Sequence, residues 1–190
     1  MTQTIPRPTE QRLTHSGMSW HQFKLLQESF DGSPGIRLFY YRGEVEILAV
    51  SQDHETFSRL INILLAEYFV EKGIEFNPTG SFTQDKEGVA SAQADESYFV
   101  GSTGKTPDLS IEVVFTSGNE RKLRRYQALG VPEVWFWEDG LFSLYCFRSD
   151  SYEKVFKSEL LPELNIELLT RCVLMTSRLE AVREFRRGLK

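Results

Sequence analysis

Apolar residues recur with two different periods along this chain, and the places where the period changes mark its elements. Ile36 to Tyr41 and Glu44 to Val50 flank Arg42-Gly43, and the second stretch sets Val45, Ile47 and Ala49 against Glu44, Glu46 and Leu48. That alternation around a turn dipeptide predicts a β-hairpin. The period then lengthens: Phe57, Leu60, Ile61, Leu64, Leu65 and Tyr68 fall at i, i+3, i+4 and i+7 spacings, which predicts a long helix with Asp53 as its cap and Gly73 just beyond its end. Strand-like segments follow at 74–82, 95–100 and 109–115, separated by loops of Gly, Ser, Ala and Lys. A helix is expected over 119–129, closed by Gly130. Next comes a second hairpin, 134–137 with 141–147, around Asp139-Gly140, and then a strand near 152–156. Ser19, with Gln22 three residues on, reads as the start of a short helix; Asn165 and Ser177 read as the starts of two more. Residues 1–18 show no period and read as a flexible arm. Residues 19–190 read as one domain, without repeat or linker. The predicted fold class is α/β (α+β): a mixed β-sheet flanked by helices, with an added N-terminal hairpin and C-terminal helices.

Composition narrows the setting. The chain has 190 residues, of which 41% are hydrophobic and 13% aromatic, enough for a sizeable core. Cys146 and Cys172 lie in apolar stretches without motif spacing, so buried free thiols in a reducing compartment are expected. No apolar leader opens the sequence and no run is long enough to span a bilayer, which together predict a cytoplasmic protein without a membrane partner. The 27 acidic and 22 basic residues give a net charge of −5. This disfavours a non-specific nucleic-acid binder but is compatible with a carboxylate-rich catalytic cleft.

The candidate chemistry lies where acids interrupt apolar strands. In Thr106-Pro107-Asp108-Leu109-Ser110-Ile111-Glu112-Val113-Val114 the strand period puts Asp108, Ser110 and Glu112 on one face. Carboxylates in such surroundings are costly unless paired or bound to metal. Upstream, Ala94-Asp95-Glu96-Ser97-Tyr98-Phe99-Val100 begins another strand with acids at its head. A hard cation takes one or two carboxylates together with waters and substrate phosphate, and it activates water for phosphodiester hydrolysis. Lys122, four residues before Tyr126 on the next helix, could face such a site and hold a phosphate oxygen. His54 and Glu55, in the first turn of the long helix, could reach the same sheet end.

The string PDLSIEVV followed by KLRRYQALGVPEVWFWEDG, with GEVEIL, DHETFSRLINILL and ADESYFV upstream in that order, resembles a large family of putative restriction endonucleases with a PD-(D/E)XK nuclease-like core. The resemblance covers about residues 36–156 and extends into the tail. It implies that Asp95 and Glu112 hold Mg²⁺ or Mn²⁺, that Lys122 stabilises the phosphate, and that Asp108 and Glu55 assist. It also implies that DNA is the substrate. Two residues after Glu112, where the general pattern has lysine, stands Val114; Lys122 on the following helix is the replacement. The expected function is metal-dependent endonucleolytic hydrolysis of DNA. The alternative, supported by Val114 and the acidic charge, is a non-catalytic homodimeric assembly module on the same scaffold. Aromatic residues in both arms of the Asp139-Gly140 hairpin predict a homodimer in either case.

Overall fold

The computed structural model describes residues 11–101, 104–115 and 119–190. Its strands are β1 (Gln11–Ser16), β2 (Ile36–Tyr41), β3 (Glu44–Ala49), β4 (Phe76–Pro78), β5 (Thr83–Lys86), β6 (Ala90–Gln93), β7 (Glu96–Val100), β8 (Leu109–Val114), β9 (Glu133–Glu138), β10 (Leu141–Phe147) and β11 (Tyr152–Val155). Its helices are α1 (Trp20–Ser29), α2 (Gln52–Lys72), α3 (Asn119–Leu129), α4 (Ile166–Val173) and α5 (Arg178–Leu189). Mixed α and β content, 35% helix and 33% strand, is consistent with a restriction-endonuclease-like fold.

The strands form two sheets among the described residues, where the sequence predicts one sheet and an added hairpin. A five-stranded sheet runs β1-β3-β2-β6-β5, and a six-stranded sheet runs β11-β10-β9-β8-β7-β4. Of the expected strands 74–82, 95–100 and 109–115, the first shrinks to β4 at 76–78, and β4, β7 and β8 lie side by side in one sheet. β8 and β9 are parallel and joined through α3, the crossover unit that parallel pairing demands. All six β8 residues are buried. Leu109, Ile111 and Val113 pack with α2, while Val114 packs under Tyr126 of α3.

Three strands depart from the sequence reading. β1 lies within the expected N-terminal arm, yet it pairs antiparallel with β3 from Gln11↔Ala49 to Ser16↔Glu44. It is an exposed, polar edge strand held by its backbone, so no apolar period announces it. Residues 1–10 lie outside the described residues. β5 and β6 occupy an expected loop; β6 is buried through Ala90, Ser91 and Ala92, residues too small to give a hydrophobic signal.

The caps and turns follow local chemistry. Ser19 and Gln22 form the predicted capping box of α1. The cap of α2 is Ser51, whose side chain accepts from His54 N, and not Asp53. Gly73 ends α2 at φ 63°, a left-handed conformation that suits glycine. Both hairpin turns carry two positive φ angles, Arg42 with Gly43 and Asp139 with Gly140, as two-residue turns that match strand twist require. Asn165 and Ser177 cap α4 and α5 as expected.

The aromatics of the second hairpin do not form a surface. Trp135, Phe136 and Trp137 are buried in the chain's own core, so the premise for a homodimer through this hairpin fails.

The C-terminal segment is tied to the sheet by one carboxylate. Buried Glu133 accepts from the backbone N–H of Glu159 and Leu160, both at 3.1 Å, and from Trp135 Nε1 at 2.6 Å. Glu133→Ala leaves the buried Trp135 N–H and two part-buried backbone N–H groups without this acceptor, and an unsatisfied buried donor costs about 1–3 kcal/mol. We expect a loss of roughly 3 kcal/mol or more in urea unfolding.

Candidate functional site

The chain crosses from one sheet to the other at Asp95, a bend between β6 and β7. Its backbone N–H bonds to Ile111 O at 3.0 Å, and its Oδ2 accepts from Val113 N at 2.8 Å. Asp95 is thus held on both sides of Glu112 in β8. Helix α3 packs against β2, β5 and β6 of the first sheet and β9 of the second, and so spans the same seam.

Glu112 is 1% exposed, and both of its oxygens are engaged from α3. Lys122 Nζ stands 2.7 Å from Oε2, and the Tyr126 hydroxyl donates to Oε1. Lys122 and Tyr126 sit one turn apart, so a single helix face delivers both donors. Burial, and then the Glu112 charge, push the Tyr126 hydroxyl well above its ordinary range, so it remains protonated and donating. The Asp95 charge acts on the same hydroxyl, which places both carboxylates in its field.

Three more groups approach from α2 and β2. His54 Nε2 lies 2.8 Å from Asp95 Oδ2. Arg37 Nε lies 3.8 Å from Asp95 Oδ1, and its terminal nitrogen donates to Glu55 Oε1 at 3.0 Å. Glu55 also faces Arg59 at 3.9 Å. Glu96, on the other face of the strand from Asp95, accepts from Ser58 Oγ at 2.9 Å and Asn62 Nδ2 at 2.8 Å.

Of the residues singled out from sequence, Asp95, Glu112, Lys122 and Glu55 therefore enter one connected group, with Glu55 joined through Arg37. Asp108 does not. It immediately precedes β8, roughly 13 Å from Glu112 at the usual strand rise per residue. Its Oδ2 accepts from Val100 N at 2.8 Å, which makes it a brace between β7 and the turn before β8. Sequence reasoning passed over Arg37 and the hydroxyl of Tyr126, gave Glu96 no role of its own, and placed His54 within reach of the site without assigning it a partner. One signal was available: His54, Ser58 and Asn62 are polar residues at four-residue spacing on an otherwise apolar helix, a stripe that must meet polar partners.

A second buried ion group stands beside the first. Glu46 is met by Arg125 of α3 and by Arg12 of β1 at 2.9 Å. Burial pushes its carboxyl up, but the two guanidiniums outweigh this and hold it below the ordinary range. Arg125 also lies over the Phe39 ring, 4.7 Å from its centre. These contacts fix α3 to the first sheet, as Lys122 and Tyr126 fix it to the second.

A mixed sheet flanked by helices, with acids where its strands meet, makes this a nuclease-like fold of the restriction-endonuclease kind. The chain belongs to the Uma2 family, described as putative restriction endonuclease, whose model matches residues 20–175. No curated protein matches it. Among the described residues no helix is long and apolar enough to cross a membrane.

Glu96 gives this region a measurable pH signature. Burial raises its carboxyl above the ordinary range despite the bonds from Ser58 and Asn62. A raised acid is protonated more readily in the folded chain than in the unfolded one. It therefore costs nothing below the unfolded value and becomes destabilising as pH rises through the folded value. Glu96→Gln should melt higher than wild type at pH 8, and the gap should close as pH falls to the ordinary carboxyl range. Melting curves across that range check the sign.

Proposed function

We propose that this protein is a metal-dependent endonuclease that hydrolyses phosphodiester bonds in DNA, with Asp95 and Glu112 as the ligands of Mg²⁺ or Mn²⁺. The observation that carries this reading is the buried contact of 2.7 Å between Lys122 and Glu112, beside Asp95 on the neighbouring strand. Among the described residues no group of three or more His, Cys, Asp or Glu side chains is arranged to hold a metal. Two carboxylates suit a cation that keeps several waters and completes its shell with substrate phosphate, the usual habit of Mg²⁺. An ionised carboxylate offers about four acceptor positions. Glu112 has spent two of them on Lys122 and Tyr126, so acceptor capacity is left for a cation.

The cation supplies water activation and charge neutralisation when bound. The chain's own groups do the rest. Tyr126 and Lys122 hold Glu112 oriented, and the Val113 N–H fixes Asp95 Oδ2. Lys122, reaching the same face from α3, stands in for the strand lysine that Val114 replaces, and its ammonium offers further donors to a phosphate oxygen. Glu55 acts at a distance, by holding Arg37. DNA is the substrate this reading favours, and a cytoplasmic setting agrees with two free, buried cysteines.

Cleavage of plasmid and linear DNA in Mg²⁺ or Mn²⁺ tests the reading. Glu112→Ala is a poor control, because it strands a buried ammonium and breaking such a pair costs about 3–5 kcal/mol. Asp95→Asn keeps an acceptor for Val113 N–H while removing the charge. We expect wild type to cleave with either metal and not in EDTA, and Asp95→Asn to lose at least about a hundredfold in rate while remaining folded, since metal stabilisation of the transition state is worth several kcal/mol. Equal cleavage by wild type and Asp95→Asn, or none by either, contradicts the proposal.

A further inference from the structure

We infer that Arg37 is the residue that receives a backbone phosphate of the nucleic acid, and that Glu55 occupies its guanidinium until substrate arrives. The inference rests on the nuclease reading above and adds to it the contact by which substrate is held. Asp95, Glu112 and Lys122 are all buried, so substrate must approach through a neighbouring opening. Two cavities adjoin the group, of about 790 and 510 Å³, and both are lined by Pro34, Arg37 and Ser81. Neither is lined by Asp95 or Glu112. Arg37 is therefore the side chain that both faces these openings and reaches a candidate metal ligand.

Its bonding leaves work to be done. The Arg37 Nε–H is buried and, among the described residues, has no hydrogen-bond partner, because Asp95 Oδ1 at 3.8 Å is too far. A buried donor of this kind costs free energy until an acceptor arrives. One terminal nitrogen is held by Glu55 at 3.0 Å, and Arg59, at the rim of the smaller cavity, faces the other oxygen of the same carboxylate at 3.9 Å. Two guanidiniums converging on one carboxylate at a cavity edge form a binding place for an oxyanion. A phosphate matches the arginine fork at least as well as a carboxylate does, and it brings more acceptor oxygens. Glu55 is about one-third exposed and sits in the first turn of α2, so it can swing into water when displaced.

The test is binding of a fluorescein-labelled DNA duplex, without metal and in EDTA so that no cleavage intervenes, read by anisotropy over a range of salt. Arg37→Gln should weaken binding about tenfold or more, as expected for a lost charged hydrogen bond. It should also lower the slope of log affinity against log salt by about one unit. Arg37→Lys should keep the slope and recover only part of the affinity, because charge is retained and the fork is lost. Glu55→Gln should act in the opposite direction and tighten binding several-fold, a result that no loss of folding imitates. The inference is overturned if wild type binds no duplex, if Arg37→Gln matches wild type in affinity and slope, or if Glu55→Gln weakens binding. The two readings fail separately. Metal-dependent cleavage with Arg37-independent binding removes only the clamp, whereas Arg37-dependent binding without cleavage in Mg²⁺ or Mn²⁺ removes only the nuclease.

Discussion

The ion pair of Glu112 and Lys122, closed off by the Tyr126 hydroxyl, is the constraint on which the rest of the arrangement depends. It joins the central strand β8 to the crossover helix α3, and α3 in turn touches strands of both sheets. Beside it, the apolar contact of α3 with β8 is Val114 packed with Tyr126. A buried pair is a costly way to pack a helix on a strand, since apolar side chains of similar volume often do as well or better.

The same pair accounts for the departure at Val114. On a strand, residues two apart share a face, so a lysine at that position would lie beside Glu112 on the α3 side. In this chain that volume is taken by Val114, packed with Tyr126 and Phe136 in the core between sheet and helix. Lys122 descends from α3 into the same neighbourhood and delivers its ammonium from above. β8 is apolar at its end, and the ammonium beside Glu112 comes from the helix.

Much of this was legible in the sequence, for identifiable reasons. The long α2, the α3 stop at Gly130, the two hairpins and the caps at Ser19, Asn165 and Ser177 each have a strong local signature, and each is present. β1, β5 and β6 have none, because they are stabilised by backbone pairing at an edge or by burial of Ala and Ser. Asp95 and Glu112 stood out as acids in apolar company, and Lys122 by its one-turn spacing from Tyr126. Arg37 and Glu96 did not: one looks like an ordinary hairpin residue, and the other like the second member of an acidic pair. Their partners lie 18 and 34 residues away at their nearest, beyond the reach of any local pattern. Asp108 stands apart from that group for the opposite reason. Strand period placed it on the right face, but a face extends along the whole strand, and Asp108 braces its far end.

The central claim is that Asp95 and Glu112 share a divalent cation, and the melting temperature with and without metal tests it most directly. A ligand that binds only the folded chain stabilises it by about 2.7 kcal/mol at 100 times its dissociation constant. For a chain of this length that amounts to a rise of about 5–10 °C. Millimolar Mn²⁺ or Mg²⁺ should raise the wild-type melting temperature by this order and leave that of Asp95→Asn in place. A wild-type curve unmoved by either metal, or an equal rise in Asp95→Asn, would contradict the account.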